Sequence, residues 1–459
     1  MAVVQRYTWP GVYPPMEHQK QTADFLSSNQ RAFCFNEQGT GKTASAIWAS
    51  DFLLLTKQIR RVLIICPLSI MDSAWRADLF KFAIHRKASI AYGTRTKRQA
   101  IINSDAEYII INYDGIEIVA NEIKEGNFDL IVIDEANAYK NPQTKRWKTL
   151  NQIVTPDTWL WLMTGTPAAQ SPTDAFGLAK LCVPHKVPRF FGSFRDMTMK
   201  NISKFKWVPK PDANDIVFNA LQPAIRFTKE ECLDLPDVTH VFRDAPLTAQ
   251  QQKYYSILKK QMLITAAGED ISGATAAINM NKLLQISGGA VYSDTGEIIE
   301  FDVSNRLNVI EEVINEASHK VLIFVPFTHT IKLLSDHLTR AGISNEIING
   351  EVPVGKRTAI FKQFQEQDSL RVLVIQPQAA AHGVTLTAAN VIVWYSPVSS
   401  TETYLQANAR INRKGQKNSM TIVHIKGSSI EERMYNLLQS KLDVHTKLID
   451  LYKNELENT

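Results

Sequence analysis

Two glycines, a lysine and a threonine follow one another near the N-terminus, in residues 36–43 (NEQGTGKT). A β-type run, 33–35, precedes this segment and a helical pattern over 44–55 follows it. The backbone N–H groups of such a loop can hold phosphate oxygens, while the lysine reaches the β- and γ-phosphates and the threonine binds Mg²⁺. Asn36 stands at the first position, where the full pattern has glycine. The residues expected to bind the nucleotide and its metal are Gly39, Thr40, Gly41, Lys42 and Thr43.

A pair of carboxylates, Asp134 and Glu135, follows the apolar run 130–133. Carboxylates at the end of a buried strand are costly to desolvate, so they usually serve a cation or a reaction. We expect Asp134 to hold Mg²⁺ and Glu135 to polarise the attacking water as a general base. The alternative is that the two acids cap the next helix. The segment 164–167 (TGTP) follows another apolar run, and alone it indicates only a turn.

Two arginines, Arg410 and Arg413, lie three residues apart in the segment 406–416 (QANARINRKGQ). On a helix this spacing places both guanidinium groups on one face, and each offers a planar fork of donors that suits phosphate. We expect the pair to meet a γ-phosphate as its charge redistributes, with Gln406 sensing it. A solvated helix face is the alternative. Because the phosphate loop lies near the other end of the chain, the sequence predicts an ATP site assembled from both halves.

Short apolar runs in the N-terminal part are the elements that must position the first of these groups. Runs that are apolar almost throughout, separated by polar or helical sequence, are typical of strands buried on both faces of a parallel sheet. Ligands of such sheets collect beyond the carboxyl ends of the strands, where the loop and the carboxylate pair are expected. The predicted strands are 32–35, 62–66, 108–112, 130–133 and 159–163.

A second series of strands follows in the C-terminal part, with helices predicted at 330–341 and 356–367. Its strands are 321–325, 372–375, 391–395 and 421–425. Between the two series the pattern is broken by prolines, and helices are predicted at 250–262 and 274–284. The fold class predicted is α/β, with two parallel-sheet lobes in tandem and a mostly helical accessory insertion. The predicted domains are 1–180, an accessory insertion over 181–236, and 237–459 with a helical C-terminal tail.

Composition indicates an ordinary globular protein of two or three domains. The chain has 459 residues, of which 44% are hydrophobic and 21% charged, with a net charge of +5. This mild positive charge fits a nucleic-acid partner and many other partners. Four scattered cysteines without a C-x-x-C pair argue against a disulfide framework or a zinc site, and Cys34 and Cys66 are predicted to be buried thiols. We find no signal-peptide pattern or membrane-length apolar run, so a cytoplasmic protein is expected.

Other segments are candidate contacts to a nucleic acid. In 381–390 (AHGVTLTAAN), small residues would let the backbone approach a ligand or a sugar-phosphate strand, with Gly383 and Thr385 as candidates. Two clusters combine cations with aromatic rings, as phosphate attraction plus base stacking would require, although a solvated face or loop core explains each nearly as well. The first cluster is Lys140, Lys145, Arg146, Trp147 and Lys148, and the second is Lys200, Lys204, Phe205, Lys206, Trp207 and Lys210.

Taken in order, these segments resemble the motifs of superfamily 2 helicases, and within them the Snf2-like branch. The resemblance covers nearly the whole chain. The run TLTAA at 385–389 is similar to the Snf2 group that remodels stalled forks, and the compact size resembles phage or bacterial members. The segments that carry it are 36–43, 134–142 (DEANAYKNP), 162–167 (LMTGTP), 235–236 with Gln250 and Tyr254, 324–327, 385–390, 406–416 and 429–433 (SIEER).

The resemblance implies RecA-like lobes and further site residues. Gln19 would contact adenine, while Thr164 and Thr166 would couple the nucleotide state to the grip on DNA. The residues that would touch the DNA backbone are Pro67, Ser69 and Thr328. Two positions depart from the family pattern, since Asn137 replaces a histidine and His382 stands where glycine is usual.

The expected function is that of an ATP- and Mg²⁺-dependent DNA motor, a DNA-dependent ATPase that remodels or unwinds branched DNA such as forks and junctions. The accessory insertion is the candidate wedge or junction reader, with Lys204, Lys206 and Trp207 as its DNA contacts. The alternatives are a double-strand translocase that displaces bound proteins without unwinding, an RNA helicase, and an inactive nucleic-acid-binding scaffold. No heptad or exposed apolar stripe requires a dimer, so a monomer is expected. The expected location is bacterial or phage-infected cytosol.

Overall fold

The computed structural model describes residues 6–11, 13–165, 167–168, 171–203, 206–232, 236–266, 273–292, 298–380, 384–413 and 415–440. The chain divides into two compact units, Met1–Asp234 and Leu235–Thr459. Within the described residues, no helix is both long and apolar enough to cross a bilayer.

The N-terminal unit is built on a parallel sheet. Among the described residues, seven strands join it in the order β3-β4-β2-β5-β6-β1-β9, and each neighbouring pair runs parallel. The five predicted strands are all present, within one residue of the predicted ends. The strands are β1 (Arg31–Cys34), β2 (Val62–Cys66), β3 (Ala88–Ala91), β4 (Tyr108–Asn112), β5 (Leu130–Asp134), β6 (Trp159–Met163) and β9 (Ala224–Ile225).

Helices cover both faces of this sheet, which explains why its central strands are apolar at nearly every position. Ile131 and Ile133 point into one core layer, and Leu130 and Val132 into the other. Cys34 and Cys66 are buried, as predicted, and burial raises the pKa of the Cys34 thiol to about 11. The helices before the accessory insertion are α1 (Glu17–Ser28), α2 (Lys42–Leu55), α3 (Ala77–Phe82), α4 (Arg95–Ile102), α5 (Tyr113–Ile118), α6 (Ala120–Glu125), α7 (Lys145–Ile153) and α8 (Ala175–Cys182).

The segment predicted to be an accessory insertion is packed into the N-terminal unit. Its short strand β9 pairs with β1 and extends the sheet, which the sequence did not suggest because β9 contributes only two residues. The antiparallel hairpin of β7 and β8 was also missed, because its strands are rich in polar residues. The elements of this segment are α9 (Phe191–Thr198), β7 (Met199–Ser203), β8 (Lys206–Pro209), α10 (Ala213–Ala220) and α11 (Lys229–Cys232).

The C-terminal unit has a second parallel sheet. Six strands among the described residues join it in the order β10-β17-β16-β13-β15-β14, and all neighbours are parallel. Leu322 and Phe324 face one core layer, Val321 and Ile323 the other. The strands are β10 (Val238–Asp244), β13 (Lys320–Phe324), β14 (Asn345–Ile348), β15 (Val372–Ile375), β16 (Ala389–Trp394) and β17 (Met420–Lys426), besides the hairpin β11 (Ala290–Tyr292) and β12 (Ile298–Glu300).

The predicted helices of this unit are present, each slightly longer than the sequence indicated. The helices are α12 (Ala249–Ala266), α13 (Gly273–Gly288), α14 (Ser304–Glu316), α15 (Thr328–Arg340), α16 (Val354–Glu366), α17 (Thr401–Asn408) and α18 (Ser429–Gln439). Residues 441–459, at the end of the predicted helical C-terminal tail, lie outside the described residues. The predicted α/β fold class with two parallel-sheet lobes in tandem is confirmed.

Candidate active site

The phosphate loop connects β1 to α2 and depends on two glycines in left-handed backbone conformations. Gly39 has φ of 88° and Gly41 of 84°, a region that glycine adopts without a steric cost. A Cβ added to Gly41 would lie 2.1 Å from Gln19 Nε2. Helix α2 begins at Lys42, and the first N–H groups of a helix have no acceptor within it. The loop therefore presents donors and a positive helix end suited to phosphate.

Lys42 and Thr40 are buried in this loop. The Lys42 ammonium donates to the carbonyl of Asn36 at 2.8 Å, and the Thr40 hydroxyl donates to the carbonyl of Glu37 at 2.8 Å. Thr43 is half-buried in the first turn of α2. The lysine thus lies over the loop with a neutral carbonyl as its acceptor. A phosphate group can replace this carbonyl, because its negative charge makes it a stronger acceptor for an ammonium group.

Asp134 ends β5 in a buried position. Its Oδ2 accepts the indole N–H of Trp75 at 3.0 Å, and its Oδ1 accepts the backbone N–H of Glu135 at 3.0 Å. The pKa of this carboxyl is raised above its usual value, because burial disfavours the charged form. The positive charge of Lys42 and these two hydrogen bonds offset part of that rise. A desolvated carboxylate and the hydroxyl of Thr43 are hard oxygen donors of the kind that Mg²⁺ prefers, so the residues present fit the metal.

Glu135 adopts a left-handed backbone conformation, with φ of 49°. This conformation costs a non-glycine residue about 1 kcal/mol, and such outliers concentrate at functional sites. Gln38 of the phosphate loop donates to Glu135 Oε1 at 3.5 Å, so the predicted base and the loop lie in contact.

Two aromatic residues that support the carboxylates were missed in the sequence. Trp75 binds the Asp134 side chain, and the Tyr113 hydroxyl donates to the carbonyls of Asp134 and Glu135 at 2.6 and 3.2 Å. Tyr113 directly follows β4, next to the carboxyl ends of the other strands. That position is the signal that could have identified it, whereas nothing in the sequence points to Trp75.

Asn36 and Gln19 hold the loop from outside. The Asn36 amide donates to Thr22 Oγ1 at 2.8 Å and its oxygen accepts the N–H of Phe227 at 3.0 Å. Asn36 therefore ties α1 and the chain after β9 to the loop, a role that a glycine here could not fill. Gln19, predicted to contact adenine, accepts the N–H of Met16 at 2.9 Å and donates to the carbonyl of Thr40 at 3.3 Å.

The residues after β6 and β2 reach the same edge of the sheet. The backbone N–H of Thr164 donates to the carbonyl of Cys34 at 3.0 Å, and a Cβ on Gly165 would lie 3.3 Å from Cγ of Gln38. The turn predicted at 164–167 thus packs against the phosphate loop, although Thr166 lies outside the described residues. Pro67 is buried directly after β2, and Ser69 is half-buried.

The two clusters of basic and aromatic residues have different surroundings in the structure. In the first, Trp147 is buried and donates to the carbonyl of Gly177 at 2.9 Å, so its ring belongs to the core and is not open to a base. Lys145 pairs with Glu117 and Arg146 with Asp114, which favours a solvated helix face. In the second, Lys204, Phe205 and the side chain of Lys206 lie outside the described residues, and Trp207 is half-buried with the Arg195 guanidinium 4.0 Å from its ring.

In the C-terminal unit, Arg410 and Arg413 converge on one acceptor. Nη1 of each arginine donates a hydrogen bond to the carbonyl oxygen of Val384, at 3.3 Å from Arg410 and 3.1 Å from Arg413. The prediction that one helix carries both is wrong, because α17 ends at Asn408. The chain then turns so that the carbonyl of Arg410 accepts the N–H of Leu386 at 3.0 Å. Turn geometry, not helical spacing, brings the two guanidinium groups together.

The other predicted residues of this unit lie around the arginines or at strand ends. Gln406 is buried and donates to Glu402 at 3.2 Å. Thr385 is exposed, and Thr328 is exposed at the start of α15. Gly383 and His382 lie outside the described residues.

Comparison with known families matches both units. The model of the SNF2-related domain matches residues 18–287, and that of the helicase conserved C-terminal domain matches residues 305–415.

Similar curated proteins are longer than this chain. It is 25% identical over 453 residues to a chromodomain-helicase-DNA-binding protein 1-like of Danio rerio, covering 93% of this chain and 42% of that protein. It is 25% identical over 428 residues to an uncharacterized ATP-dependent helicase of Mycoplasma genitalium, covering 90% of this chain and 40% of the relative. A SWI/SNF-related matrix-associated actin-dependent regulator of chromatin subfamily A-like protein 1 homolog of Caenorhabditis elegans is 26% identical over 444 residues, with coverage of 93% and 61%. The chain thus spans about half the length of these relatives.

Among solved structures, the SWI2/SNF2 ATPase core of Sulfolobus solfataricus in complex with dsDNA aligns with a TM-score of 0.47 and 21% identity, covering 94% of this chain and 92% of that one. The match of the SNF2-related domain extends over more than half of the present sequence. The chain therefore belongs to the SNF2-related family.

Proposed function

We propose that this protein is a DNA-dependent ATPase that moves along DNA and remodels or unwinds branched substrates such as forks and junctions. The observation that carries the proposal is the buried site where Lys42 lies in the phosphate loop and its charge acts on Asp134. Family membership supports ATP as the substrate. The relatives named above include an ATP-dependent helicase and a helicase-DNA-binding protein, which supports DNA as the partner.

In this proposal, each residue of the phosphate loop and of the carboxylate pair has a definite role. The N–H groups around Gly41 and the Lys42 ammonium bind and orient the phosphates, while Thr43 and Asp134 hold Mg²⁺. When bound, the metal neutralises charge on the phosphate oxygens. Glu135 accepts a proton from the attacking water.

Residues of the C-terminal unit complete the chemistry in this proposal. Arg410 and Arg413 exchange the Val384 carbonyl for a phosphate oxygen, the stronger acceptor, and Gln406 responds to the nucleotide state. The proposed DNA-backbone contacts are Pro67, Ser69, Thr164, Thr166, Thr328, Gly383 and Thr385.

The site assignment is tested by ATP hydrolysis with and without DNA. Lys42→Ala and Glu135→Gln are each expected to lower the DNA-stimulated rate by at least about a hundred-fold, since one removes phosphate binding and the other the base. Lys124→Ala and Glu125→Gln, exposed residues of the same types on α6, serve as matched controls. Full activity in either site variant would refute the assignment.

The choice of DNA structure needs a separate measurement. Strand displacement should be compared on a fork, a four-way junction and a blunt duplex, at equal ATP turnover. Release of strands from the branched substrates supports remodelling. Turnover without displacement of strands, together with removal of a bound protein from duplex, would favour the double-strand translocase.

Two further alternatives have their own outcomes. Stimulation of ATP hydrolysis by RNA at lower concentrations than by DNA would indicate an RNA helicase. Tight DNA binding without turnover would indicate a scaffold, against which the complete set of Lys42, Asp134 and Glu135 argues.

A further inference from the structure

One short segment of the N-terminal unit has a larger net positive charge than the whole chain. Residues 184–211 contain seven lysines and arginines and one aspartate, a net charge of +6, whereas the whole chain has +5. The other residues therefore sum to −1. The described cations of the segment are Lys186, Arg189, Arg195, Lys200 and Lys210. Such a local concentration of charge is the electrostatic footprint of a polyanion site.

The same segment exposes large apolar side chains. Phe190 is 65% exposed, Ile202 55%, Met197 46% and Phe191 40%. Single exposed hydrophobic residues are common, but several in one segment indicate an interaction surface. The Arg189 guanidinium lies 5.3 Å from the centre of the Phe190 ring, so cations and apolar groups share this surface.

The segment that carries this surface is packed against the core of the N-terminal unit. Phe194 of α9 is buried, and its ring lies 5.5 Å from that of Phe176. The hairpin is tied back to α9, because Arg195 lies over Trp207 and the N–H of Lys210 donates to the carbonyl of Thr198 at 2.9 Å. Phe190 immediately precedes α9, so its backbone is anchored beside this packed helix while its ring stays exposed.

We propose that the segment 184–211 binds unpaired nucleotides, with Phe190 stacking on a base and Lys186, Arg189 and Lys200 pairing with phosphates. This inference rests on the proposed function for the presence of DNA, and it specifies the substrate as DNA with an unpaired strand. Stacking on an aromatic side chain requires a base with a free face. Bases within a duplex are stacked on one another, so the Phe190 ring selects unpaired strands while the cations attract any strand.

The test is the affinity of the full chain for labelled DNA, measured by fluorescence anisotropy without ATP. The probes are an oligothymidylate, a fork with single-stranded arms and a blunt duplex. Phe190→Ala should weaken binding of the oligothymidylate and the fork by about five-fold or more and change duplex binding by less than about two-fold, as expected for one lost base stack. Phe218→Ala is the matched control, because Phe218 is also 65% exposed but lies on α10 beside Asp215, outside the basic segment. This control should leave all three affinities unchanged.

A second variant separates charge from stacking. Lys200→Gln should weaken all three probes alike and reduce the salt dependence of binding, since phosphate contacts do not distinguish strands. Unchanged affinity of Phe190→Ala for the oligothymidylate, or an equal loss on the duplex, would overturn the proposal. A change in the sedimentation mass of Phe190→Ala without a change in DNA affinity would overturn it in favour of a protein interface. DNA binding is measured without ATP, so it does not depend on hydrolysis. A failure of the ATPase proposal would appear only in the hydrolysis assay, and the binding result could still be interpreted.

Discussion

At the scale of single residues, side-chain type and spacing predict the candidate reactive groups but not the residues that contact them. Lys42 and Asp134 follow from the local sequence, because a phosphate loop and a carboxylate after a buried strand are recognisable patterns. Trp75 could not be predicted, since its contact with Asp134 spans 59 residues of chain. The common acceptor of Arg410 and Arg413, the carbonyl of Val384, depends on a turn that spacing alone does not reveal.

The close approach at Gly41 gives a prediction at this scale. Gly41→Ala should weaken ATP binding by at least about ten-fold, because its Cβ would collide with a Gln19 amide that Met16 and Thr40 hold in place. Gly342→Ala is the control. Gly342 also has positive φ, 74°, but its Cβ would meet no atom within 4 Å. Strain of the left-handed backbone alone should cost each variant about 1 kcal/mol of stability, which urea unfolding measures, and equal ATP affinities of the two variants would contradict the account.

At the scale of elements, the central strands were predictable and the edge strands were not. Strands such as β2 (VLIIC) and β15 (VLVI) are buried on both faces, so they are apolar throughout. In contrast, β10 (VTHVFRD) and β14 (NEII) lie at the two edges of the second sheet and carry polar residues. The sequence therefore predicted the centre of each sheet but missed its margins, including β3 and β9.

The pairing of β10 with β17 gives a pH prediction. His424 of β17 is buried, its ring stacks on His240 of β10, and Nε2 lies 2.9 Å from the Tyr404 hydroxyl. Burial, with a smaller contribution from the charge of His240, lowers the pKa of His424 to about 3. A lowered folded pKa favours the neutral form, so its stabilising effect is complete above the ordinary value of about 6.5 and is lost as the pH falls towards 3.

The free energy of unfolding should thus fall by about 2 kcal/mol between pH 7 and pH 5 through this group. Urea unfolding of the wild type and of His424→Gln at both pH values measures the effect, since the variant lacks the titrating group. The prediction fails if the two proteins lose stability equally on acidification.

At the scale of the whole molecule, two units with separate cores each carry candidate ligand-binding groups, and those of the N-terminal unit lie at the carboxyl ends of its strands. The N-terminal unit carries the phosphate loop and the carboxylates, and the C-terminal unit carries the arginines. Family membership extends over both units. We propose that ATP turnover depends on residues of both units and responds to DNA.

DNA-stimulated ATP turnover of Arg413→Ala, measured alongside ATP binding, tests this claim most directly. Binding should stay within about three-fold of the wild type, because the N-terminal loop supplies the phosphate contacts. Turnover should fall by at least about a hundred-fold, because the arginine stabilises charge during hydrolysis. Arg340→Ala, an exposed arginine at the end of α15, is the matched control. Wild-type turnover in Arg413→Ala, or a wild-type rate that no DNA increases, would contradict the account.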